Sequence, residues 1–454
     1  MDTEIKIISR RRKKYVRSTN RDINIVHRNP NPESHPFEQA REYKRALNSV
    51  KMDRIFAKPF LTAMTGHIDG IYCLERHPKY LSRVVSASAD GEIRVWDLMR
   101  RKTVASVQAH NQFIRGITIS KPNGNFFFSC SDDQTIKQWR FSDLRSNVNS
   151  EYQKKKKPVS TFISEETLRG IDHHWSRHTF VTSGDTVQVW DHKRSKPFQK
   201  LTFGTTETSS AIKFSPVQKN VFATAGSDRS VGLYDLKIST PIRKVILKNQ
   251  TNAISWNPME AFNFTVANED QNCYTFDMRR LDRALCIHNG HLNAVMDVDY
   301  SPTGREFVTA SYDHTIRIFN IRSISSRDVY HTRRMKRVFV AKYSGDSKFI
   351  ISASDDMNIR LWKSEASKPL LPVDRKEKNA IKYRESLKKR YGYLPEIRRI
   401  SKHRHLPRVL YFMKQQKKKS LQARARKYRN MKMNNPSSVK QTKMRKRFIV
   451  KQLK

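Results

Sequence analysis

Several features that would assign an activity are scarce or missing in these 454 residues. The four cysteines, Cys73, Cys130, Cys273 and Cys286, do not stand at the spacing of zinc ligands or of a disulfide framework. The pattern predicts neither, and indicates a reducing compartment. We expect no membrane-spanning segment, because no run of about 18 apolar residues is present. The basic start of the chain lacks the apolar stretch of a signal peptide.

Catalytic motifs are missing as well. The sequence has no glycine-rich phosphate loop, no Gly-x-Ser-x-Gly elbow, no His-Glu-x-x-His and no Cys-x-x-Cys. The adjacent histidines His173 and His174 suggest a metal site, but neighbours on a strand point to opposite faces and cannot share one ion. The sequence therefore predicts a protein that is not an enzyme, with no catalytic residue, cofactor, metal or small-molecule substrate.

Acidic residues are scarce relative to basic ones. The chain has 42 Asp and Glu against 89 Lys and Arg, a formal net charge of +47. Residues 374–454 contain 29 basic and 4 acidic residues, a net of +25 (29 − 4), and no acid follows Glu396. Residues 1–56 add a net of +7 from 14 basic and 7 acidic residues. Charge on this scale predicts a polyanionic partner.

A repeat of about 43 residues occupies most of the chain, as in WD-type propeller blades. Each unit closes with an aromatic residue, and successive aromatics are 43, 51, 44, 42, 43 and 43 residues apart. The closing pairs are Trp96-Asp97, Trp139-Arg140, Trp190-Asp191, Tyr234-Asp235, Phe276-Asp277, Phe319-Asn320 and Trp362-Lys363. The fold class predicted is all-β, a seven-bladed propeller of four-stranded blades, with basic, largely helical extensions at both ends.

A buried polar network is expected inside each blade. An aspartate stands six residues before the closing aromatic in all blades but the third, where Asp185 is five before Trp190. Histidines at His67, His110 and His291 open three of the units. Such a His, Ser, Asp and Trp network stabilises a blade when every member has a partner, so these residues are interpreted as structural.

The ends of the repeat predict how the propeller closes. Phe60–Met64 precedes the first unit and is expected to supply the outer strand of the blade that ends at Trp362, which removes an open edge. The predicted domains are an N-terminal arm at 1–57, the propeller at 58–363 and a C-terminal extension at 364–454. The insertion around Lys154–Lys157 is expected to form an exposed, mobile loop.

The N-terminal arm contains two features. Arg10–Lys14 fits either a nuclear import signal or a polyanion contact. A short amphipathic helix begins near Pro36, with Ala40, Tyr43, Leu47 and Val50 on one face. We expect it to pack on the propeller or on a partner.

The C-terminal extension predicts two helices. The first runs from Glu377 to Tyr391 before Gly392, and the second from Pro407 to about Met433. The second is basic nearly all round, so like charges repel along it and phosphates would stabilise it. A solvated tail that aids solubility or nuclear import is the alternative.

The residues expected to contact RNA are exposed cations of this extension, whose role would be to neutralise phosphates. They are Arg398, Arg399, Lys402, Arg404, Lys417, Lys418, Arg424, Arg426, Lys427 and Arg429. Four further side chains could stack on bases or pack within the protein: Tyr393, His403, His405 and Tyr411.

Several segments resemble one family, the Sof-type WD-repeat proteins. They are 29–38, 41–43, 45–48, 56–60, 170–175, 256–262, 267–270, 274–279 and 402–407. The resemblance covers nearly the whole chain. It implies a nucleolar, non-catalytic scaffold of the small-subunit processome, a single copy in a large ribonucleoprotein. The implied partners are precursor 18S rRNA, the U-three small nucleolar RNA and other processome proteins, with no membrane.

Animal members of that family imply a second role, as substrate receptor of a cullin-four ubiquitin ligase. The adaptor-binding signature of such receptors is Asp-x-Arg after the closing aromatic, and it occurs once, at Asp277-Met278-Arg279. Blades one, three and four have the Asp but carry Met99, Lys193 and Lys237 at the last position. Lys does not replace a planar guanidinium. The alternative is that Asp277 and Arg279 are a turn pair within the blade.

Overall fold

The structure is a computed structural model that describes residues 31, 33, 35–121, 123–144, 157–201, 208–238, 240–435 and 448–453. These residues form 29 strands and five helices. The chain divides into two compact units, Met1–Pro59 with Glu365–Arg404, and Phe60–Ser364 with His405–Lys454. The C-terminal extension, predicted at 364–454, therefore contributes residues to both units.

The second unit contains seven antiparallel sheets, one for each predicted blade. The first strand in the chain, β1 (Phe60–Thr65), belongs to blade seven. Blade one has β2 (Ile71–Arg76), β3 (Arg83–Ser88), β4 (Glu92–Asp97) and β5 (Lys102–Gln108). Blade two has β6 (Ile114–Ile119), β7 (Phe126–Ser131), β8 (Thr135–Arg140) and β9 (Ser160–Ile163). Blade three has β10 (Gly170–His173), β11 (Thr179–Ser183), β12 (Val187–Asp191) and β13 (Gln199–Leu201).

The other blades repeat this order, and together they confirm the seven-bladed fold. Blade four has β14 (Ser209–Phe214), β15 (Val221–Gly226), β16 (Ser230–Asp235) and β17 (Arg243–Leu247). Blade five has β18 (Thr251–Trp256), β19 (Asn263–Asn268), β20 (Asn272–Asp277) and β21 (Cys286–Asn289). Blade six has β22 (Val295–Tyr300), β23 (Glu306–Ser311), β24 (Ile316–Asn320) and β25 (Asp328–Tyr330). Blade seven has β26 (Val338–Tyr343), β27 (Phe349–Ser354) and β28 (Asn358–Lys363), completed by β1.

In every repeat except the third, an aspartate six residues before the closing aromatic lies in the turn between the second and third strands of the blade. The next residue has a positive φ, between 60° and 85°, in Asp90-Gly91, Asp133-Gln134, Asp228-Arg229, Asp270-Gln271, Asp313-His314 and Asp356-Met357. A side chain in that region is unfavourable. In the first five turns the carboxylate accepts the backbone N–H two residues ahead, which offsets the cost. This requirement explains the fixed spacing from Asp to the closing aromatic.

The buried networks differ between blades. In blade two, His110 Nδ1 lies 2.8 Å from Asp133 and Nε2 lies 2.7 Å from Ser129 Oγ, which also accepts from Trp139 Nε1 at 3.2 Å. Blade three lacks the histidine, and Trp190 Nε1 donates to Thr182 Oγ1 at 2.9 Å. There the carboxylate of Glu166, not Asp185, accepts from the Thr186 N–H and hydroxyl.

Both ends of the propeller unit are paired into its sheets. As predicted, β1 pairs antiparallel with β28, and the Phe60 ring meets the Trp362 ring edge-on at 5.4 Å. A last strand, β29 (Ile449–Leu453), pairs with β17 as a fifth strand of blade four. The Phe448 ring lies 5.1 Å from that of Tyr274. The sequence did not predict this strand.

The first unit contains three helices: α1 (Glu38–Ile55), α3 (Arg375–Arg390) and α4 (Pro395–Lys402). The short α2 (Phe141–Leu144) belongs to blade two of the other unit. The core of the three helices contains Ala46, Val50, Leu387 and Ile397. The predicted face of α1 is thus partly wrong, because Ala40 is exposed and Ala46 is buried instead.

Polar contacts join the same helices. Glu42 accepts from the guanidinium of Arg390 at 2.8 Å and from the Tyr391 hydroxyl at 2.9 Å. The Tyr43 hydroxyl donates to Glu396 at 2.6 Å. The partner of α1 in the structure is therefore the first part of the C-terminal extension, which had not been considered as a partner for it.

The remaining helix, α5 (Arg408–Asn434), follows Pro407 and ends just before Asn435 and Pro436, close to the predicted bounds. The predictions for Arg10–Lys14 and for Lys154–Lys156 lie outside the described residues, whereas Lys157 is described and exposed. Among the described helices, none is long and apolar enough to cross a membrane.

Candidate nucleic-acid interface

The first half of α5 is seated on blades five and six. Lys417 donates from its ammonium to the side-chain oxygen of Gln271 at 2.5 Å and to the backbone oxygen of His291 at 3.1 Å. Leu410 is buried on the same side of the helix. Just before the helix, the backbone oxygen of His405 lies 3.3 Å from His331 Nε2. These contacts fix where the helix leaves the propeller.

Contact with the propeller lowers the pKa of two lysines of α5. Burial lowers the pKa of Lys417, and the charge of Arg317 adds to the effect. Burial and the same guanidinium lower the pKa of Lys414. Of the cations expected at phosphates, Lys417 is thus half-buried and bonded within the protein, so its observed contacts are those of an anchor.

The second half of α5 projects as a cationic rod. Every residue from Lys418 to Asn435 is exposed, over a length of about 25 Å. It carries Lys418, Lys419, Arg424, Arg426, Lys427, Arg429 and Lys432 without any acidic residue. Five of the predicted RNA contacts lie here, and Lys419 and Lys432 extend the same set. A duplex or single strand laid along the rod would meet a phosphate-binding charge on each turn.

The other predicted cations lie on or beside α4, in the helical unit. Burial of Ile397 in the core orients this helix, and it leaves Arg398, Arg399 and Lys402 exposed. Arg404 differs, since its guanidinium donates to the backbone oxygens of Ser401 and His403. The predicted set is therefore divided between the two compact units.

The candidate stacking residues are all exposed. Tyr393 exposes 75% of its surface, in the turn before α4. Tyr411 exposes 51%, and its ring lies edge-on to that of Phe412 at 6.1 Å. His403 and His405 are also exposed. A planar ring that faces solvent beside cations can stack on a base.

The Asp-x-Arg triplet forms a closed turn between the third and fourth strands of blade five, β20 and β21. Asp277 accepts from the Arg279 guanidinium at 3.0 Å and from its backbone N–H at 3.0 Å. The guanidinium also lies 4.2 Å over the Phe262 ring, and 62% of its side chain is exposed. Burial opposes ionisation of the carboxyl, but the Arg279 contacts hold the pKa of Asp277 below its usual value.

The central channel contains a cavity of about 440 Å³ lined by the innermost strands. Ion pairs join neighbouring blades there, Asp172 with Lys213 at 3.4 Å and Asp297 with Lys342 at 2.9 Å. Burial disfavours the Asp172 carboxylate, yet the charge of Lys213 holds its pKa below the usual value. These charges already neutralise one another, so the channel offers a weaker polyanion site than α5.

The adjacent histidines are buried and bonded separately. His173 Nε2 lies 2.8 Å from His192 Nε2, whereas His174 bonds to the backbone oxygen of Lys219. Burial, with the neighbouring His192, lowers the pKa of His173 to about 3. Across the described ranges, no group of three or more His, Cys, Asp or Glu side chains is arranged to hold a metal ion.

This architecture defines a WD-repeat β-propeller with a basic helical extension, and the match to known families is consistent with it. Residues 58–97, 101–140, 284–320 and 331–363 match the "WD domain, G-beta repeat" family. Residues 364–449 match the "Sof1-like domain". Propellers of this kind are typically non-catalytic scaffolds.

Relatives cover almost the whole chain. It is 46% identical over 449 residues to "DDB1- and CUL4-associated factor 13" of Danio rerio, covering 99% of each chain. The human protein of that name is 45% identical over 98% of this chain and 99% of its own. "Protein SOF1" of Saccharomyces cerevisiae is 41% identical over 90% of this chain and 86% of its own. The chain therefore belongs to the Sof1-like WD-repeat family, which confirms the resemblance.

Proposed function

We propose that this protein is a non-catalytic ribosome-biogenesis scaffold of the small-subunit processome in the nucleolus. In this proposal the propeller holds neighbouring assembly proteins. The basic extension binds precursor 18S rRNA and the U-three small nucleolar ribonucleoprotein during precursor processing. Membership of a family that includes "Protein SOF1" supports a nuclear role in ribosome biogenesis.

One observation supports the RNA-binding part of this proposal. The second half of α5 is fully exposed and has no acidic residue, while the first half of the same helix is bonded to the propeller. A merely solvated helix mixes charge signs, because like charges four residues apart destabilise it by a few tenths of a kcal/mol each. Phosphates remove that repulsion and release counterions in the process. The seat also reduces the entropy lost on binding, since the rod is oriented beforehand.

The direct experiment measures RNA affinity against salt concentration for the full chain. We expect a variant with Arg424, Arg426, Lys427 and Arg429 replaced by alanine to bind RNA more weakly. The slope of log affinity against log salt should fall by about 3, since each phosphate contact contributes about 0.7 to 0.9. An unchanged slope would place these residues away from phosphates.

The matched control removes the same number of positive charges from the propeller. Lys193, Arg194, Lys196 and Lys237 are exposed in the turns between the third and fourth strands of blades three and four. Their replacement by alanine lowers the net charge equally and should leave the salt slope unchanged. Equal losses in both variants would mean that RNA responds only to overall charge.

Crosslinking in living cells tests the identity of the RNA. Reads from the full chain should concentrate on precursor 18S rRNA and the U-three RNA, and should fall sharply for a chain ending at Val373. That truncation should also stall 18S rRNA maturation. Scattered reads from the full chain would contradict the processome assignment.

A second function, substrate receptor of a cullin-four ubiquitin ligase, is favoured by the Asp277–Arg279 turn. The name of several relatives associates those proteins with DDB1 and CUL4. Purified DDB1 should then bind the full chain, and Arg279→Lys should weaken binding by about tenfold or more. Arg100→Lys, an exposed arginine at the corresponding turn of blade one, is the control. Failure of DDB1 to bind the unaltered chain would reject the receptor role.

A further inference from the structure

The side of α5 that rests on the propeller continues along its projecting half. Leu410, Lys414 and Lys417 are spaced by four and three residues, and Leu421 follows after four more. Tyr428 and Met431 continue the series at seven and three. Alternating steps of three and four residues keep side chains on one side of a helix. The two halves therefore present the same side, but among the described residues only the first half has hydrogen bonds to the propeller.

The projecting part of this side is apolar and exposed. Leu421 exposes 55% of its surface, Tyr428 49% and Met431 48%. We call these three residues the apolar stripe. Since about 100° separates successive residues of a helix, Lys419 and Arg426 lie about half a turn away from it. The stripe and these cations thus face different neighbours.

Charges border the stripe. Arg424 lies within it, between Leu421 and Tyr428, while Lys427 and Lys432 lie along its two edges. A helix that docked here would need apolar residues for the stripe and carboxylates opposite these cations, as in the flanking positions of a coiled coil. Phosphates would gain nothing from the apolar side chains, which argues against RNA on this side.

We propose that the apolar stripe is the docking site for an amphipathic helix of a partner protein, with an apolar seam flanked by Asp and Glu. The partner helix would continue the surface on which the first half of α5 rests, and it would contact the second half over about three turns. This goes beyond the proposed function, since it assigns a protein partner to the side of the helix that carries the apolar stripe, whereas the cations on its other sides, Lys418, Arg426 and Arg429, remain for RNA. The extension would then join an RNA and a protein through a single helix.

The test uses two synthetic helical probes with the full chain. Each probe has three heptads and identical glutamates at the flanking positions, and the core positions are leucine in one and serine in the other. Fluorescence anisotropy should show that the leucine probe binds on the order of 100-fold more tightly, as expected for burying three half-exposed apolar side chains. Equal binding of both probes would overturn the proposal, since only charge would then be recognised.

Two variants separate this site from the RNA site. Replacing Leu421, Tyr428 and Met431 by glutamine preserves helix propensity and should abolish the preference for the leucine probe. It should leave the RNA salt slope unchanged, whereas the variant lacking Arg424, Arg426, Lys427 and Arg429 should change that slope. If the glutamine variant kept the preference, the stripe would not be the docking site.

A photo-crosslinker at Tyr428 identifies the occupant in cells, with Gln422 on the other side of the helix as control. The expected product at Tyr428 is a peptide from another protein, with apolar residues three and four apart among acidic ones. Crosslinks to RNA, to a second copy of this chain or to its own residues would overturn the proposal. Crosslinks of the same kind from both positions would also overturn it.

Discussion

Replacing Asp313 by alanine should cost blade six much of its stability. This carboxylate is 1% exposed and accepts four hydrogen bonds. They come from His291 Nδ1 at 2.9 Å, the Thr315 hydroxyl at 2.6 Å, the Thr315 N–H at 3.0 Å and the Leu292 N–H at 3.2 Å. The guanidinium of Arg317, 3% exposed, lies 3.9 Å away.

The magnitude follows from what the substitution leaves behind. Removing one member of a buried charged network costs about 3 to 5 kcal/mol, because the remaining charge and donors are left buried without partners. That is a large part of the roughly 5 to 15 kcal/mol that stabilises a native domain. Since the backbone oxygen of His291 also accepts from Lys417, the loss should loosen the seat of α5.

Urea unfolding followed by tryptophan fluorescence measures the change in the free energy of unfolding, with hydrogen exchange reporting on blade six. The control is Asp132→Ala, where the carboxylate is 27% exposed and pairs with Arg115, which is 44% exposed. That substitution should cost less than about 1 kcal/mol, as exposed ion pairs do. A loss for Asp313→Ala no larger than for the control would refute the reasoning.

Three further outcomes are expected. Burial lowers the pKa of both His67 and His288 to about 4, and the nearby charge of Arg94 contributes at His67. In the unfolded chain a histidine has a pKa near 6.5, so on acidification it binds its proton at a higher pH than it does in the folded protein. The stability that is present above pH 6.5 should therefore be lost on acidification, and the free energy of unfolding should fall by about 2 kcal/mol for each histidine between pH 7 and pH 5. Equal unfolding midpoints at the two pH values would contradict this. Phe448→Ala should speed hydrogen exchange in β17, because the ring that fastens β29 beside Tyr274 is lost, and unchanged exchange would mean that pairing alone holds the strand. Leu387→Ala should destabilise the helical unit by about 2 to 5 kcal/mol, measured by its helical circular dichroism on heating, whereas an unchanged transition would show that this core is dispensable.

The propeller could be predicted from the sequence because its signals are local and repeated. Each blade carries its own Asp turn and closing aromatic, and even the pairing of β1 with β28 follows from the need to close the ring. The strand β29 could not be predicted in this way, since its short apolar run lies in a basic tail and pairs with β17 some 200 residues earlier. The same limit applies to α1, whose periodicity indicated a helix but not its partners.

The composition of the C-terminal extension predicted the candidate site, but the sequence did not show which of its side chains contact the propeller. The lack of acids after Glu396 indicated α5, but not that Lys417 would be bonded to the propeller. The apolar stripe was missed because its residues stand among lysines and arginines. The spacing from the buried Leu410 shows that they continue the side of the helix that rests on the propeller. A search for apolar residues three and four apart would have found it.

The closure of blade seven also constrains when the propeller can finish folding during synthesis. The ribosome makes Phe60–Thr65 first, but its partner Asn358–Lys363 follows about 300 residues later. At the usual elongation rates this is a wait of about 15 to 60 s, during which one strand has no neighbour. Six blades can pair from their own consecutive strands meanwhile, but the ring stays open until the last arrives. A chain released early would expose the unpaired edges of both ends, which are templates for pairing with another chain.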